Sequence, residues 1–367
     1  MSRLTVSNMS EYLELARQLM AVPSVTQDQA KVKLCAQIII DYLGPDFQVQ
    51  TVESEGFTSY VVSRHLIKDF DVFLYGHLDV VPGDVNSFNP KVSDEKLLGR
   101  GGFDMKAATA VEAELIKKVG LNNLKVALVL VPDEEVGGQN GLRKVLEAGY
   151  TAKVAIVPDG GFGDSIVIAE KGVSIYKLKS RGSGGHSSRP WEGENQIEKL
   201  YRVYQTLLSD LTIKNDYQDF GLTVNLGVMR GGDKFNSIPE WAEMELDFRY
   251  YSEEDKARIE NYFTGMNDQG IEYEKGVEAD IFKIAPENKF LQIFKPIAEK
   301  HFVKELPFTK QFGSSDARYF SAYNIPAINF QPTGADNHKK NEWVSLLGLS
   351  RFYQTVQDFL LQLDSYA

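Results

Sequence analysis

Three apolar runs in this chain each end on side chains that bind metals or move protons. Asp71 to Tyr75 is short, β-prone and mostly apolar, and stops at Gly76; His77 and Asp79 follow, two residues apart. Lys125 to Val131 ends in Pro132-Asp133-Glu134-Glu135, and Lys153 to Val157 ends in Pro158-Asp159-Gly160-Gly161. In an open α/β sheet the residues just past the carboxyl ends of strands face the ligand crevice. On extended backbone His77 and Asp79 point the same way, so Asp79 can orient the imidazole while its other nitrogen meets a metal. Three consecutive carboxylates repel one another; a solvated loop tolerates them, and so does a bound divalent cation. Between the first two runs, Gly99-Arg100-Gly101-Gly102-Phe103-Asp104-Met105-Lys106 fits neither phosphate-loop nor dinucleotide spacing. Its glycines suit tight turning that sets Asp104 at the start of a helix, where it caps the helix or serves as a ligand. Taken together, the residues describe a metal site at the carboxyl edge of a mainly parallel sheet.

The elements that must hold this edge follow from periodicity. Ser10 caps a helix to about Met20, stopped by Pro23, and Gln27 to Leu43 is a second, ended by Gly44-Pro45. Two β-like segments, Phe47 to Val52 and Phe57 to Ser63, precede the His77 strand, and a helix covers Lys106 to Val119. From Gly172 the order becomes βαββαβ: Val173 to Arg181, Glu194 to Ser209, Leu222 to Arg230, Ala242 to Tyr251, Glu253 to Met266 and Ile271 to Phe282. That is the ferredoxin-like unit, able to stand as an inserted domain. The α/β pattern then resumes, with helices over Asn288 to Lys300 and from about Gly313, a strand over Ile325 to Phe330 and a closing helix over Val344 to Leu363. The expected division is 1–171 with 285–367 for the larger domain and 172–284 for the inserted one.

At 367 residues the chain is long enough for two domains, and 43% hydrophobic with 25% charged residues is ordinary for a globular protein. A net charge of -11 with no Lys/Arg cluster argues against a nucleic-acid surface. The single cysteine, Cys35, excludes an intrachain disulfide and reads as a small core residue. No run approaches the apolar length of a membrane helix or a signal peptide, so a cytoplasmic, membrane-free protein is expected. No Gly-x-Ser-x-Gly elbow is present, which disfavours a serine hydrolase.

With these residues in view, the sequence resembles the metallopeptidase family of acetylornithine deacetylase, succinyl-diaminopimelate desuccinylase, aminoacylase, glutamate carboxypeptidase and cytosolic dipeptidases. The matching pieces run in the family's order: Gly76-His77-Leu78-Asp79, Gly99 to Lys106, Asp133-Glu134-Glu135-Val136-Gly137, Pro158-Asp159-Gly160, Gly184-Gly185-His186-Ser187-Ser188-Arg189-Pro190, Asn236-Ser237-Ile238-Pro239, Ser315-Asp316-Ala317-Arg318, and His338 with Glu342. The resemblance implies a zinc-exopeptidase-like α/β fold, a mixed and mainly parallel sheet flanked by helices, with the ferredoxin-like insertion used for dimerisation. It implies two zinc ions, replaceable by cobalt or manganese, with Asp104 shared between them. His77 and Asp159 complete one site, Glu135 and His338 the other. Asp79 orients His77, and the peptide after Asp104 is cis. Glu134 takes the proton of the attacking water and passes it to the leaving amine. His186 stabilises the oxyanion, reaching the site of the partner subunit in a homodimer. Asn236, Arg249, Ser315 and Arg318 fall where the family binds substrate, and Arg suits a carboxylate through bidentate pairing.

The expected activity is hydrolysis of the amide bond of an N-acyl amino acid, of the acetylornithine deacetylase or desuccinylase kind, or of a small peptide. Many deacylases of the family carry Glu where this chain has Asp159, whereas several of its peptidases carry Asp, which tilts toward a dipeptidase or carboxypeptidase. A co-catalytic aminopeptidase shares the ligand set, but the insertion holding His186 speaks against it. A catalytically silent metal-binding relative need keep neither Glu134 nor His186, and both are present. His65 and His301 read as surface or core-edge residues.

Overall fold

A computed structural model describes residues 11–216, 220–266 and 270–366; Ser10 and the rest of the N-terminal ten residues lie outside them. The apolar runs become the centre of a nine-stranded sheet. Val126–Val131, Asp69–His77, Thr151–Val157 and Ala327–Asn329 lie side by side and run parallel. Val126–Val131 is buried at every position, as a strand covered on both faces must be. Phe57–Ser63 and Gln48–Ser54 add an antiparallel hairpin at one edge. Ile166–Glu170 pairs antiparallel with Ala327–Asn329 at the other, followed by Phe282–Lys283 and Phe308–Gln311.

Helices cover the sheet. Glu11–Met20, Gln29–Leu43, Lys106–Lys118, Lys289–Phe302 and Leu346–Asp364 send Leu19, Ile39, Val111, Phe294 and Phe352 into one apolar core. The helix expected from Gln27 begins at Gln29, because the Asp28 side chain accepts from Lys31 N and caps it. Lys106–Lys118 is buried along most of its length. It lies so close to the His77 strand that a Cβ on Gly76 would stand 2.4 Å from Thr109 Oγ1. The buried Lys106 Nζ donates to the carbonyls of Leu19 and Val22, 2.9 Å each. Those carbonyls sit at and just past the end of Glu11–Met20, where a helix leaves its carbonyls without internal partners.

A second, four-stranded sheet orders Gly334–Ala335, Trp343–Ser345, Lys96–Leu98 and Lys91–Ser93. All its pairs are antiparallel. It joins the segment before Asp104 to the segment after His338.

The chain separates into two compact units, Met1–Ala169 with Phe282–Gln311 and Ser315–Ala367, and Glu170–Ile281 with Phe312–Ser314. In the second unit Gly172–Arg181, Gln196–Asp210, Thr223–Gly231, Trp241–Tyr250, Glu253–Thr264 and Ile271–Ala279 follow one another as βαββαβ. The sheet order places Trp241–Tyr250 and Gly172–Arg181 in the middle, with Thr223–Gly231 and Ile271–Ala279 at the edges. This is the ferredoxin-like arrangement expected from the sequence. Trp241–Tyr250 alternates strictly between buried and half-buried positions. Met244, Leu246 and Phe248 share a core with the helix residues Leu200, Leu207, Ile259 and Phe263, while Glu243 and Glu245 face the other way beside Lys177. Phe312 packs in this unit, 5.2 Å from the Phe220 ring and 5.0 Å from Lys171 Nζ.

Candidate metal centre

The strand Asp69–His77 delivers His77 at its last position, fully buried. Its Nδ1 lies 3.0 Å from the Asp79 carbonyl and 3.4 Å from Asp79 Oδ1. Asp79 is itself pinned: Oδ2 accepts from Thr26 Oγ1 at 2.7 Å, and its two oxygens accept from the backbone N–H groups of Glu134 and Glu135, 3.2 Å each. One carboxylate thereby sets both the ring of His77 and the loop carrying the two glutamates. Thr26 went unremarked in the sequence; its only signal there is a polar residue just after Pro23, where the first helix has stopped.

In the tautomer whose Nδ1–H meets the Asp79 carbonyl, the His77 ring turns a lone pair on Nε2 toward Asp104 Oδ1, 2.9 Å away. Two acceptors at that distance need a proton or a cation between them. His338 repeats the arrangement, with Nε2 3.1 Å from Asp104 Oδ2 and 3.1 Å from Glu135 Oε2. Asp104 therefore faces one histidine with each oxygen. Glu135 Oε1 accepts from Val81 N at 3.2 Å. Asp104 does not cap the following helix: the cap position falls to Met105, which makes no side-chain cap bond. The Asp104–Met105 peptide is cis, as the resemblance implies.

Ligand-type atoms gather in two groups, each within 4.8 Å: His77, Glu134 and Asp159; and Asp104, Glu135 and His338. All six side chains belong to one of the two units. The expected ligands His77, Asp104, Asp159, Glu135 and His338 are thus brought together, and Glu134, expected as the base, stands among them. Imidazole and carboxylate are the donors zinc takes, and one carboxylate facing two histidines suits a shared position between two ions. The donor set fits such a pair.

Electrostatics agree. Burial opposes charging the His77 ring, but hydrogen bonds and charge from Asp104 and Asp79 outweigh it and raise its pKa well above the usual value. Hydrogen bonds to Asp104 and Glu135 raise His338 to about 10. Burial pushes Asp104 up, yet the two histidines hold it below the usual carboxylate range. Glu134 is raised well above that range by burial and then by the charge of Asp159.

A second layer supports the glutamate loop. Tyr75 Oη donates to Asp316 Oδ2 at 2.7 Å, and Arg318 Nη2 donates to Asp316 Oδ1 at 3.3 Å and to the Gly137 carbonyl at 2.8 Å. A Cβ on Gly138, which has φ +61°, would fall 2.2 Å from Asp316 Oδ1, so only glycine fits there. Arg318 had been expected at the substrate. Instead it is 3% exposed, and its guanidinium is spent on the carbonyls of Gly137 and Ser315 and on Asp316. The placement makes it a brace for the glutamate loop. Ser315 is likewise buried, its Oγ taking the Ala317 N–H and lying 3.4 Å from Asn329 Nδ2.

The remaining expected residues belong to the inserted unit. His186 is exposed, pairs with Ser237 across a two-residue bridge, and has Nδ1 2.8 Å from Ser188 Oγ. The Asn236 carbonyl accepts from Ser187 N at 3.1 Å. Arg249 is half-buried, and Asp247 takes its Nε and Nη2 at 2.7 and 2.8 Å. A substrate carboxylate would compete with Asp247 for that fork. His301 pairs with Asp358 at 2.8 Å, a structural contact at the core's edge.

The sequence pattern of peptidase family M20/M25/M40 matches residues 73–362. The chain belongs to that family. It is a metallohydrolase acting on amide bonds. Curated relatives of this M20 chain include a succinyl-diaminopimelate desuccinylase of Nitratiruptor sp., 25% identical over 95% of this chain and 99% of the relative. Another of that name from Rickettsia bellii is 29% identical over 80% of this chain and 81% of the relative. Among solved structures, an M20 family metallo-carboxypeptidase from Sulfolobus solfataricus superposes with a TM-score of 0.80 at 16% identity, over 96% of this chain and 99% of that one. A tripeptidase from Staphylococcus aureus gives 0.76 at 18% identity, over 96% and 98%. These last two show that the M20 fold is shared. Among the described residues, no helix is long and apolar enough to cross a membrane.

Proposed function

We propose that this M20 chain is a di-zinc hydrolase that cleaves the amide bond of an N-acyl amino acid carrying a free carboxylate, with an N-succinyl amino acid as the first candidate. The observation that carries the reading is Asp104, one of whose oxygens faces the His77 ring and the other the His338 ring. His77, Asp104 and Asp159 would hold one ion and Asp104, Glu135 and His338 the other; cobalt or manganese would substitute. Bound there, the pair would supply a water of lowered pKa and polarise the scissile carbonyl.

The chain's own residues do the rest. Asp79 keeps the His77 ring turned toward Asp104 and holds the backbone of Glu134 in place. Glu134 removes the proton of the attacking water and returns it to the leaving amine. His186, reached from the partner of a homodimer, donates a hydrogen bond to the carbonyl oxygen as charge develops on it. Asn236 and Arg249 receive the substrate carboxylate, Arg249 after exchanging its bond to Asp247. Ser315 and Arg318 shape the pocket wall from behind.

The desuccinylase names of the curated relatives favour the succinyl candidate, and Asp159 favours a dipeptidase or carboxypeptidase as the second reading. Assaying the zinc-loaded protein against N-succinyl-diaminopimelate, N-acetylornithine, other N-acetyl amino acids, dipeptides and tripeptides separates them. The first reading expects the highest kcat/KM on an N-acyl amino acid. A clear preference for unblocked peptides would replace it with the second, and no hydrolysis of any amide in the panel would overturn both.

A further inference from the structure

Glu342 lies four residues beyond His338 and is 1% exposed. It touches three parts of the segment that carries Asp104. Its Oε1 accepts the backbone N–H groups of Phe103 and Asp104 at 2.9 and 3.1 Å. Its Oε2 pairs with Arg100 Nη1 at 2.5 Å, and its backbone carbonyl accepts from Gly99 N at 2.9 Å. Arg100 is 3% exposed, and its own N–H donates to the Ser87 carbonyl at 2.8 Å.

We infer that Glu342 is a positioning residue for the Asp104–Glu135–His338 ion site, locking the His338 loop to the backbone of Asp104. The inference rests on the di-zinc reading above. His338 stands on the connection between the short strands Gly334–Ala335 and Trp343–Ser345. Its φ is +62°, its side chain is 53% exposed, and its imidazole meets only Asp104 and Glu135 in ion-pairing distance among the described residues. Its position depends on where the loop is tied, and Glu342 is one tie, beside the pairing of Trp343–Ser345 with Lys96–Leu98. His77 ends one strand of the main sheet and Asp159 follows another, so in the site they share with Asp104 only Asp104 is held by Glu342. Loss of Glu342 should accordingly weaken the Asp104–Glu135–His338 site, where it supports two of the three ligands, more than the site Asp104 shares with His77 and Asp159, which a general loosening of the fold would not do. Outer-shell partners of this kind typically change metal affinity by about 10–100-fold.

The experiment strips the full chain with chelator and titrates it with zinc, and in parallel with cobalt, following binding by competition with a chromophoric chelator and by the cobalt absorption bands. Wild type is expected to take two ions. Glu342→Ala is expected to keep the first within about threefold and to lose about 10–100-fold on the second. Glu342→Gln keeps an oxygen for the two N–H groups but leaves Arg100 as a buried, unpaired charge. It should bind both ions within about threefold of wild type while melting at a lower temperature. That split between affinity and stability separates positioning from a plain structural ion pair. Should the alanine variant not fold, Glu342→Asp, which withdraws the carboxylate by one methylene, is expected to show the same selective loss. Two wild-type affinities in Glu342→Ala, or equal losses in the Ala and Gln variants, would overturn the inference. A wild-type chain that binds no ion would instead overturn the di-zinc reading on which it stands.

Discussion

On the polar face of the inserted unit's sheet, Glu243 and Glu245 stand 3.2 and 3.5 Å from Lys177, and Arg230 reaches Glu243 at 3.1 Å. At the carboxyl edge of the main sheet, Asp104 and Glu135 meet His77 and His338 instead. Among the described residues, no lysine or arginine lies in ion-pairing distance of Asp104, Glu134 or Glu135. The residue types are alike and the settings opposite. In the inserted unit each acid brings its own cation, both partners are part-exposed, and pairs of that sort contribute little. At the sheet edge the acids are packed together, with the rings of His77 and His338 in ion-pairing distance. A cluster of that composition calls for positive charge from outside the chain.

The sharpest way to break this contrast is Asp104→Ala. Both ion sites share Asp104, so the variant is expected to lose both ions and all measurable activity. Elemental analysis of protein purified without chelator reads the outcome directly, and retention of two ions would end the comparison. Glu134→Gln comes next. It should keep both ions while turnover falls by roughly 10²–10⁴-fold, the range proton transfer by a positioned side chain supplies. Near-normal turnover would move the base elsewhere.

His186→Ala is expected to cost roughly 10²–10³-fold in turnover, as the loss of one oxyanion donor does. Mixing it with Glu134→Gln under subunit exchange should partly restore activity, because a hybrid dimer holds one site with both residues intact. No recovery would place His186 in the site of its own subunit.

A smaller effect is expected at Glu112, which is fully buried in the helix Lys106–Lys118 with, among the described residues, neither oxygen in hydrogen-bond geometry to a partner. Burial raises its pKa well above the usual value, against a weaker pull from the Tyr75 backbone N–H. A carboxyl whose folded pKa is raised leaves stability intact below about 4.3, the unfolded value, and removes it as pH climbs toward the folded pKa. Glu112→Leu should therefore stabilise by about 1–3 kcal/mol at neutral pH and flatten the dependence of the melting temperature on pH above 4. An unchanged slope would show that the charge is accommodated. Least is expected of Glu243→Gln, which should leave ion content untouched and shift the melting temperature by no more than about 1–2 °C.

Much of the site was legible in the sequence because its carriers are regular. Long apolar runs closed by Gly or Pro mark buried strands, and the polar residue after each stop is a crevice residue wherever the strands turn out parallel. His77, Glu135 and Asp159 each carry that mark in the sequence. Asp104 needed the glycine turn before it. What was not legible depends on contacts between distant segments. The small sheet that ties Trp343–Ser345 to Lys96–Leu98 is built of two- and three-residue strands, too short to show a period of two. Glu342 read as part of a motif without a task, since its partners lie about 240 positions away. The resemblance puts Arg318 in the lining of the substrate pocket; only the fold reveals that Gly137 and Ser315 turn their carbonyls toward it. Asp28, by contrast, moved a helix start by two residues through purely local chemistry.

Phe312–Ser314 is a three-residue excursion: the chain leaves the larger unit at Gln311, packs Phe312 against Phe220 and Lys171, and returns at Ser315. For anyone cutting or grafting this protein, the insertion is therefore not a cassette. Replacing 170–281 by a short linker removes the ring and the ammonium that pack against the half-exposed Phe312, three residues before the segment Ser315–Arg318. Swapping in the corresponding unit of a relative carries the same condition, since its surface must accept this phenylalanine or bring the residue that replaces it. Recombination that respects only the two obvious junctions should give chains that aggregate, and moving Phe312–Ser314 with the insertion should rescue them.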